Sequence, residues 1–223
     1  MKTSQPDLRD LPLFRGLSPE EVGTFLKNTS AIAKGYEKGD FVLNHYERNA
    51  NIGILLDGLA QVVTEDRFGN KFIGHSLERG ALLGSTSAIL SEEYSPSAIE
   101  ALSDLQVLWI PYRNLIVAGP KMGRIHGVVM KNLLEAFCTK NVRMVEKLNL
   151  LSQKTLRERL ILYLLQREKR QKTETVQVPG RIQLAKELEC NRSALTREIS
   201  LMKRDGLLAV EKDRMRLSKE KLY

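Results

Sequence analysis

Residues Arg181 to Leu208, RIQLAKELECNRSALTREISLMKRDGLL, constrain the fold of this chain more than any other stretch. Leu184, Ala185 and Leu188 give one short helix an inner face. Leu195, Ile199 and Met202 recur at i, i+4 and i+7, so a second helix carries a single apolar stripe. Glu189, Cys190 and Asn191 form the turn between them, and Asn191 is a good N-cap just ahead of Arg192. Gly206 stops the second helix, because glycine tolerates the left-handed backbone found there. Downstream, LLAVEK and RMRLS flank Asp213 as two strand-like runs around a tight turn, the pattern of a hairpin. Arg192, Ser193, Thr196, Arg197 and Ser200 fall opposite the apolar stripe.

A helix, a tight turn and a basic second helix, followed by a hairpin, is how a protein brings side chains to the edges of DNA bases. An arginine bonds two acceptors on one guanine edge in the major groove. Short hydroxyl side chains between arginines let the helix sit deep and donate to phosphates. A plain amphipathic helix with a solvated basic face accounts for the second helix alone. It does not account for the turn, the glycine stop and the hairpin together.

Charge location points the same way. The chain carries a formal net charge of +8. Residues 1–151 hold 17 basic and 17 acidic residues, whereas residues 152–223 hold 18 and 10. The whole excess therefore surrounds the helix pair, as expected for a polyanionic partner. A membrane surface also attracts basic charge, but no apolar run approaches the roughly 18 residues needed to span a bilayer. The polar start, MKTSQPDLRD, has no signal-peptide pattern, so cytoplasmic residence is the expectation.

At 223 residues the chain is long enough for one large or two modest domains with real cores. Its two cysteines, Cys138 and Cys190, lie far apart and have no metal-ligand spacing. Both read as small hydrophobes in a reducing compartment.

The N-terminal part reads as a β domain. Leu17 is followed by Ser18-Pro19-Glu20-Glu21, a helix start with proline first and acids in the first turn. From Ala31 to Ile110, short runs such as AIAKGY, FVLNHY, NIGILLDG, LAQVVTE, KFIGHSL and LQVLWIP alternate or are β-branched. Turns at KGD, LDG, FGN and ERG punctuate them, and this spacing predicts a sandwich or jelly roll. GALLGSTSAI breaks the pattern as a glycine-flanked turn leading into a short helix, which can offer backbone N–H groups to an anion. From Lys121 to Leu151 the period is helical. Ile125, Val129, Leu133, Phe137, Lys140, Met144, Leu148 and Leu151 form a seam about 45 Å long as one helix. Packing on the β domain buries such a seam, and so does a symmetric coiled-coil-like dimer. A dimer suits a helix-turn-helix protein, because two recognition helices read two half-sites about one DNA turn apart. Asn149 to Ser152 then form a hinge, and KTLRERLILYLLQREKRQK opens the basic domain as a helix with Leu156, Leu160, Tyr163 and Leu164 inward.

The predicted fold class is α+β. It comprises an N-terminal β-roll sensor domain (1–120), a long dimerisation helix and hinge (121–151), and a C-terminal winged helix-turn-helix domain (152–223). In this order the chain resembles the CRP/FNR superfamily of bacterial transcription regulators. KGDFVLN, GILLDGLAQVV, the cassette GALLG…SPSAIEAL, RERLILYLL and CNRSALTREISLMKRDGLL carry the resemblance, which covers nearly the whole chain. It implies a homodimer that binds a palindromic operator in double-stranded DNA, with RNA polymerase as a further candidate partner. It also implies base reading by Arg192, Ser193 and Arg197, and phosphate contacts from Arg181 and Thr196. The family often has glutamate where this chain has Ser193. Serine does not accept from cytosine as glutamate does, so a different operator is expected.

The effector site departs further from the family. Cyclic-nucleotide-binding relatives carry a glutamate for the ribose, then an arginine and a hydroxyl residue for the cyclic phosphate. Here the glutamate position is Ser85, and the arginine position is Pro96, followed by Ser97. An anionic ligand would lose its bidentate partner. The helix region expected to face an adenine, around Met144 and Val145, is apolar. The expectation is therefore an unidentified small-molecule effector other than cyclic AMP, with Leu83, Ser85, Tyr94, Ser97 and Met144 as pocket candidates. A filled core at these positions is the simpler alternative.

No cofactor and no metal site are expected. His45, His75 and His126 are the three histidines and lie in separate segments without metal spacing. Haem, which a lone histidine such as His75 can ligate, and a cyclic nucleotide remain alternative effectors. The cysteines that carry an oxygen-labile cluster in some relatives are absent. A cupin-like enzyme with an accessory basic domain would need paired histidines on adjacent strands. The chain has none, nor a GxSxG, P-loop or HExxH motif, so no enzymatic activity is expected.

Overall fold

The computed structural model describes residues 8–65, 71–90, 97–120 and 122–221. The chain forms two compact units, Met1–Phe137 and Cys138–Tyr223.

In the first unit, two 3-10 turns at Leu8–Asp10 and Pro12–Phe14 precede helix α1 (Pro19–Thr29). The predicted start of α1 is a full capping box. The Glu21 backbone N–H donates to Ser18 Oγ at 3.2 Å, and the Ser18 N–H donates to Glu21 Oε2 at 2.9 Å. The strands follow as β1 (Ile32–Tyr36), β2 (Phe41–Leu43), β3 (Asn51–Asp57), β4 (Ala60–Glu65), β5 (Lys71–Leu77) and β6 (Leu82–Leu83). Helix α2 (Ser85–Leu90) then precedes β7 (Ser97–Ala101), β8 (Leu105–Pro111), helix α3 (Tyr112–Ile116) and the long helix α4 (Gly123–Leu151). They build two antiparallel sheets, β1-β8-β3-β6 and β2-β7-β4-β5, the expected roll.

Strand β3 shows why this layering forms. NIGILLD is apolar at every central position, which suits a strand buried on both faces. Ile52, Ile54 and Leu56 face a helix-covered core with Phe14, Phe25, Leu108 and Ile110. Leu55 faces the second core, between the sheets, with Val42, Leu83, Ile99 and Val107. Gly53 pairs with Trp109 across the ladder. A Cβ there would lie 2.8 Å from the Trp109 ring and 2.9 Å from Val107, so glycine makes room for the indole. The indole N–H donates to the Tyr36 hydroxyl at 3.0 Å. β6 and β7 escape the sequence pattern, the first because it is two residues long and the second because it sits within the cassette motif.

Helix α4 corrects the reading of one continuous seam. Ile125, Val129 and Leu133 pack into the helix-covered core of the first unit, with Phe137 against its edge. Asn132, almost fully buried, locks this turn by donating to Leu13 O at 2.9 Å and Arg15 O at 2.8 Å. Met144 and Leu148 are 58% and 62% exposed, and Lys140 is exposed as well. The first half of the seam thus belongs to the core of its own unit.

The second unit starts inside α4. Leu150 is buried with Leu160 and Leu188. The Lys147 ammonium donates to Glu187 O at 2.6 Å and lies 3.5 Å from the Glu189 carboxylate. Helix α5 (Leu156–Gln171) opens on a second capping box, between Thr155 and Glu158. Next come β9 (Thr175–Gln177), helices α6 (Arg181–Glu187) and α7 (Arg192–Arg204), β10 (Leu208–Glu211) and β11 (Arg214–Leu217). The predicted hairpin is β10–β11, and β9 adds to it in the order β10-β11-β9. β9 has three residues, too few for a period to register.

Candidate nucleic-acid interface

Helices α6 and α7 meet through the residues the periodicity assigns to them. Leu184, Ala185, Leu188, Leu195, Ile199 and Met202 all lie in the core of the second unit. The turn relies on Glu189, whose backbone is left-handed at φ 50°. Asn191 caps α7, its Oδ1 accepting from Ala194 N at 2.8 Å. The same oxygen accepts from the Ser193 hydroxyl at 2.9 Å.

With its inner stripe fixed, α7 turns Arg192, Ser193, Thr196, Arg197 and Ser200 outward around one shallow depression. The structure thus brings four of the five predicted DNA-contact residues onto one face. The fifth, Arg181, is the first residue of α6 and is half-buried. Burial lowers the pKa of its guanidinium, which stays charged at neutral pH.

The hydroxyls on this face are committed to their own helix. Thr196 Oγ1 donates to Arg192 O at 2.8 Å, and Ser200 Oγ donates to Thr196 O at 3.0 Å. Their outward lone pairs remain open to donors, and a phosphate contact from Thr196 requires its hydroxyl proton to swing away from Arg192 O.

A residue outside the sequence reading holds the helix in place. Arg157 on α5 reaches two points of α7, with Nε 2.6 Å from Glu198 and Nη1 2.9 Å from the C-capping Asp205. Arg159 steadies α6, donating to Leu188 O at 3.2 Å. Neither role leaves a local signal, because the nearest of these partners, Leu188, lies 29 residues away and the others lie further off.

The described effector-pocket candidates occupy separate elements: β6, α2, β7 and α4. Leu83 is fully buried in the core between the sheets. Ser85 opens α2 and is 3% exposed. Ser97 begins β7 and pairs with Thr64 of β4. Met144 is exposed on the part of α4 that belongs to the second unit. Tyr94 and Pro96 lie outside the described residues. The expected glycine turn is present, with Gly84 left-handed at φ 62°. The side chain of Asn49 fills it. Asn49 Nδ2 donates to Asn51 O at 2.7 Å and Gly84 O at 2.9 Å and reaches Ser87 Oγ at 3.4 Å. Ser87 Oγ in turn donates to Gly84 O at 3.1 Å.

His45 stands between the rings of Phe41 and Tyr46, and His126 Nε2 is 3.1 Å from Leu115 O. The side chain of His75 lies outside the described part. Among the described residues no group of three His, Cys, Asp or Glu could hold a metal ion, and no helix is long and apolar enough to cross a membrane. Cys138 and Cys190 are both free thiols.

No protein-family model matches the chain, and no curated protein sequence does. Solved structures do match. The catabolite activator protein of Thermus thermophilus is 21% identical over 95% of this chain and 95% of that one, with a TM-score of 0.53. The c-di-GMP responsive global regulator CLP of Xanthomonas campestris is 14% identical over 90% of this chain and 99% of its own, with a TM-score of 0.59. CprK complexed with OCPA is 12% identical over 89% of both chains, with a TM-score of 0.64. At such identities the likeness is one of fold. The chain has the fold of CRP/FNR-type regulators: a β-roll, a long helix and a helix-turn-helix module with a hairpin.

Proposed function

We propose that the protein is a dimeric, sequence-specific DNA-binding transcription regulator of CRP/FNR type, gated by a small molecule other than cyclic AMP. One observation carries the reading. Helix α7 is fixed by Leu195, Ile199 and Met202 and turns Arg192, Ser193, Thr196 and Arg197 outward together. Arg192 and Arg197 read guanine edges in the major groove. Ser193, bonded to Asn191, offers one short hydroxyl where a longer acceptor would demand cytosine. Arg181 holds a phosphate.

The dimer is supported by the outer face of α4. Cys138, Asn141, Val145 and Leu148 are all exposed and follow one another at +3, +4 and +3, the heptad spacing of a two-helix seam. The effector half is supported by Pro96, which offers a cyclic phosphate no charge and no donor, and by the Asn49 side chain seated in the cassette turn. Two solved neighbours are named with different small molecules, c-di-GMP and OCPA, so this fold does not dictate one effector. An effector shifts the equilibrium only by binding two states with different affinity.

In vitro selection from random duplexes tests the reading. The expected result is a palindrome whose half-sites lie about one helical turn apart. Failure to enrich any sequence overturns it. A thermal-shift titration tests the effector half, and clear stabilisation by cyclic AMP would overturn the reading of Pro96.

A further inference from the structure

The side chains around the depression on α7 are of two kinds. Arg192 and Arg197 only donate hydrogen bonds. Ser193, Thr196 and Ser200 are the acceptors of the set, which contains no carboxylate and no amide. Glu198, on the same helix, is paired with Arg157 of α5 at 2.6 Å. What each hydroxyl offers a base depends on where its single proton points.

The first turn of α7 fixes that direction at Ser193. The Ala194 backbone N–H donates to the Asn191 side chain at 2.8 Å, so the accepting atom is the amide oxygen. Turning the amide round would break the cap. Ser193 Oγ lies 2.9 Å from that same oxygen. An amide oxygen only accepts, so the serine is the donor. Its one proton is committed to the cap, and only its lone pairs face outward. Thr196 and Ser200 are held in the same sense. Each donates to the carbonyl four residues earlier, Arg192 O at 2.8 Å and Thr196 O at 3.0 Å.

The N-terminal residues of a recognition helix are those that reach base edges. In the major groove adenine N6 and cytosine N4 are amino donors, whereas thymine O4 and guanine O6 are acceptors. A hydroxyl free to rotate serves either kind. A hydroxyl whose proton is held serves only a donor.

We infer that Ser193 reads the exocyclic amino group of adenine or cytosine on one strand of the operator, and that Asn191 sets this preference by holding the serine proton. Ser193 is the specificity-determining residue at that position, and Asn191 is a positioning residue that acts through it. A neutral acceptor lacks the charge with which a glutamate demands cytosine, so either amino base fits.

The inference rests on the DNA reading, and the test keeps the two apart. In vitro selection with the unaltered chain and with Ser193→Ala locates the base pair at which the variant loses its choice. The amino group of that pair is then deleted alone, with purine in place of adenine or 2-pyrimidinone in place of cytosine. Binding of the full chain to each duplex is followed by fluorescence anisotropy. The unaltered chain should lose about two- to tenfold in affinity, the worth of one neutral hydrogen bond. Ser193→Ala should lose nothing further, and this difference between the two proteins cancels any loosening of the base pair itself. Asn191→Gly keeps a tolerated N-cap but frees the serine proton. It should admit thymine or guanine on the same strand, while Asn191→Asp, still an acceptor, should keep the original choice. Equal losses in the unaltered chain and Ser193→Ala, or an unchanged preference in Asn191→Gly, overturn this inference alone. Absence of sequence-selective binding by the unaltered chain overturns the DNA reading and this inference with it.

Discussion

Asn191 does two jobs with one oxygen, capping α7 through Ala194 N and holding the Ser193 hydroxyl. Asn191→Ala should destabilise the second unit by about 1 kcal/mol, the usual cost of a lost N-cap. Asn191→Asp, which keeps the acceptor, should lose much less, and urea unfolding of the two variants checks the difference. Arg197→Ala should cost operator affinity roughly 1–3 kcal/mol and relax base preference at one position. Repeating the selection with that variant reads both effects. An unchanged operator would mean that another element reads the bases. The cap and the outward face were legible because both depend on residues within one or two helical turns. Arg157 was not, since its hold on Glu198 and Asp205 exists only once α5 packs on α7. Asn49 was hidden likewise, as Gly84 lies 35 residues downstream.

At the scale of elements, helix starts were the most legible feature, and the two capping boxes also set a pH response. A backbone hydrogen bond with Ser18 and the Arg124 guanidinium lower the pKa of Glu21. A backbone hydrogen bond from Thr155 does the same for Glu158. A carboxylate depressed in the folded state contributes stability above its unfolded value, near 4.5, and loses it as pH falls through the folded value. Glu158→Gln, which keeps an acceptor but cannot ionise, should flatten the acid limb of a stability–pH profile followed by urea midpoint. An identical acid limb would show that the box titrates without consequence. Helix α4 was only half legible. A period near 3.6 and one near 3.5 differ by about 20° per heptad, so a seam read over four heptads drifts from one face to another. Ile125, Val129 and Leu133 lie on one side of the helix, while Cys138, Asn141, Val145 and Leu148 lie close to the opposite one. Val145 and Leu148 are 49% and 62% exposed in the single chain. Val145→Glu/Leu148→Glu should therefore leave the helix content intact and shift sedimentation from dimer toward monomer. A dimer unaffected by both charges would place the interface elsewhere.

For the molecule as a whole, the compact units meet the chain at residues 137 and 138, within α4 rather than at a loop. The last two turns of α4 serve the second unit, through buried Leu150, the reach of Lys147 to Glu187 and Glu189, and the Gln166 amide on Glu146 O. A fragment spanning 138–223 should thus be more stable to urea than one spanning 152–223. The deficit should be at least about 2 kcal/mol, the scale of losing one buried leucine. Equal midpoints would make these turns a mere leash. The order of β-rich and helical segments was readable from residue patterns, because period and turn chemistry are local. The point where one unit yields to the next was not, since helical periodicity runs through it unbroken. The division has a practical side. The chain has one tryptophan, Trp109, and it sits in β8 of the first unit, in contact with Tyr36. Indole emission is therefore a private optical reporter of the first unit. Opening of the second unit alone should pass unseen in tryptophan fluorescence while far-ultraviolet ellipticity falls, so any gap between the two signals measures how independently the units come apart.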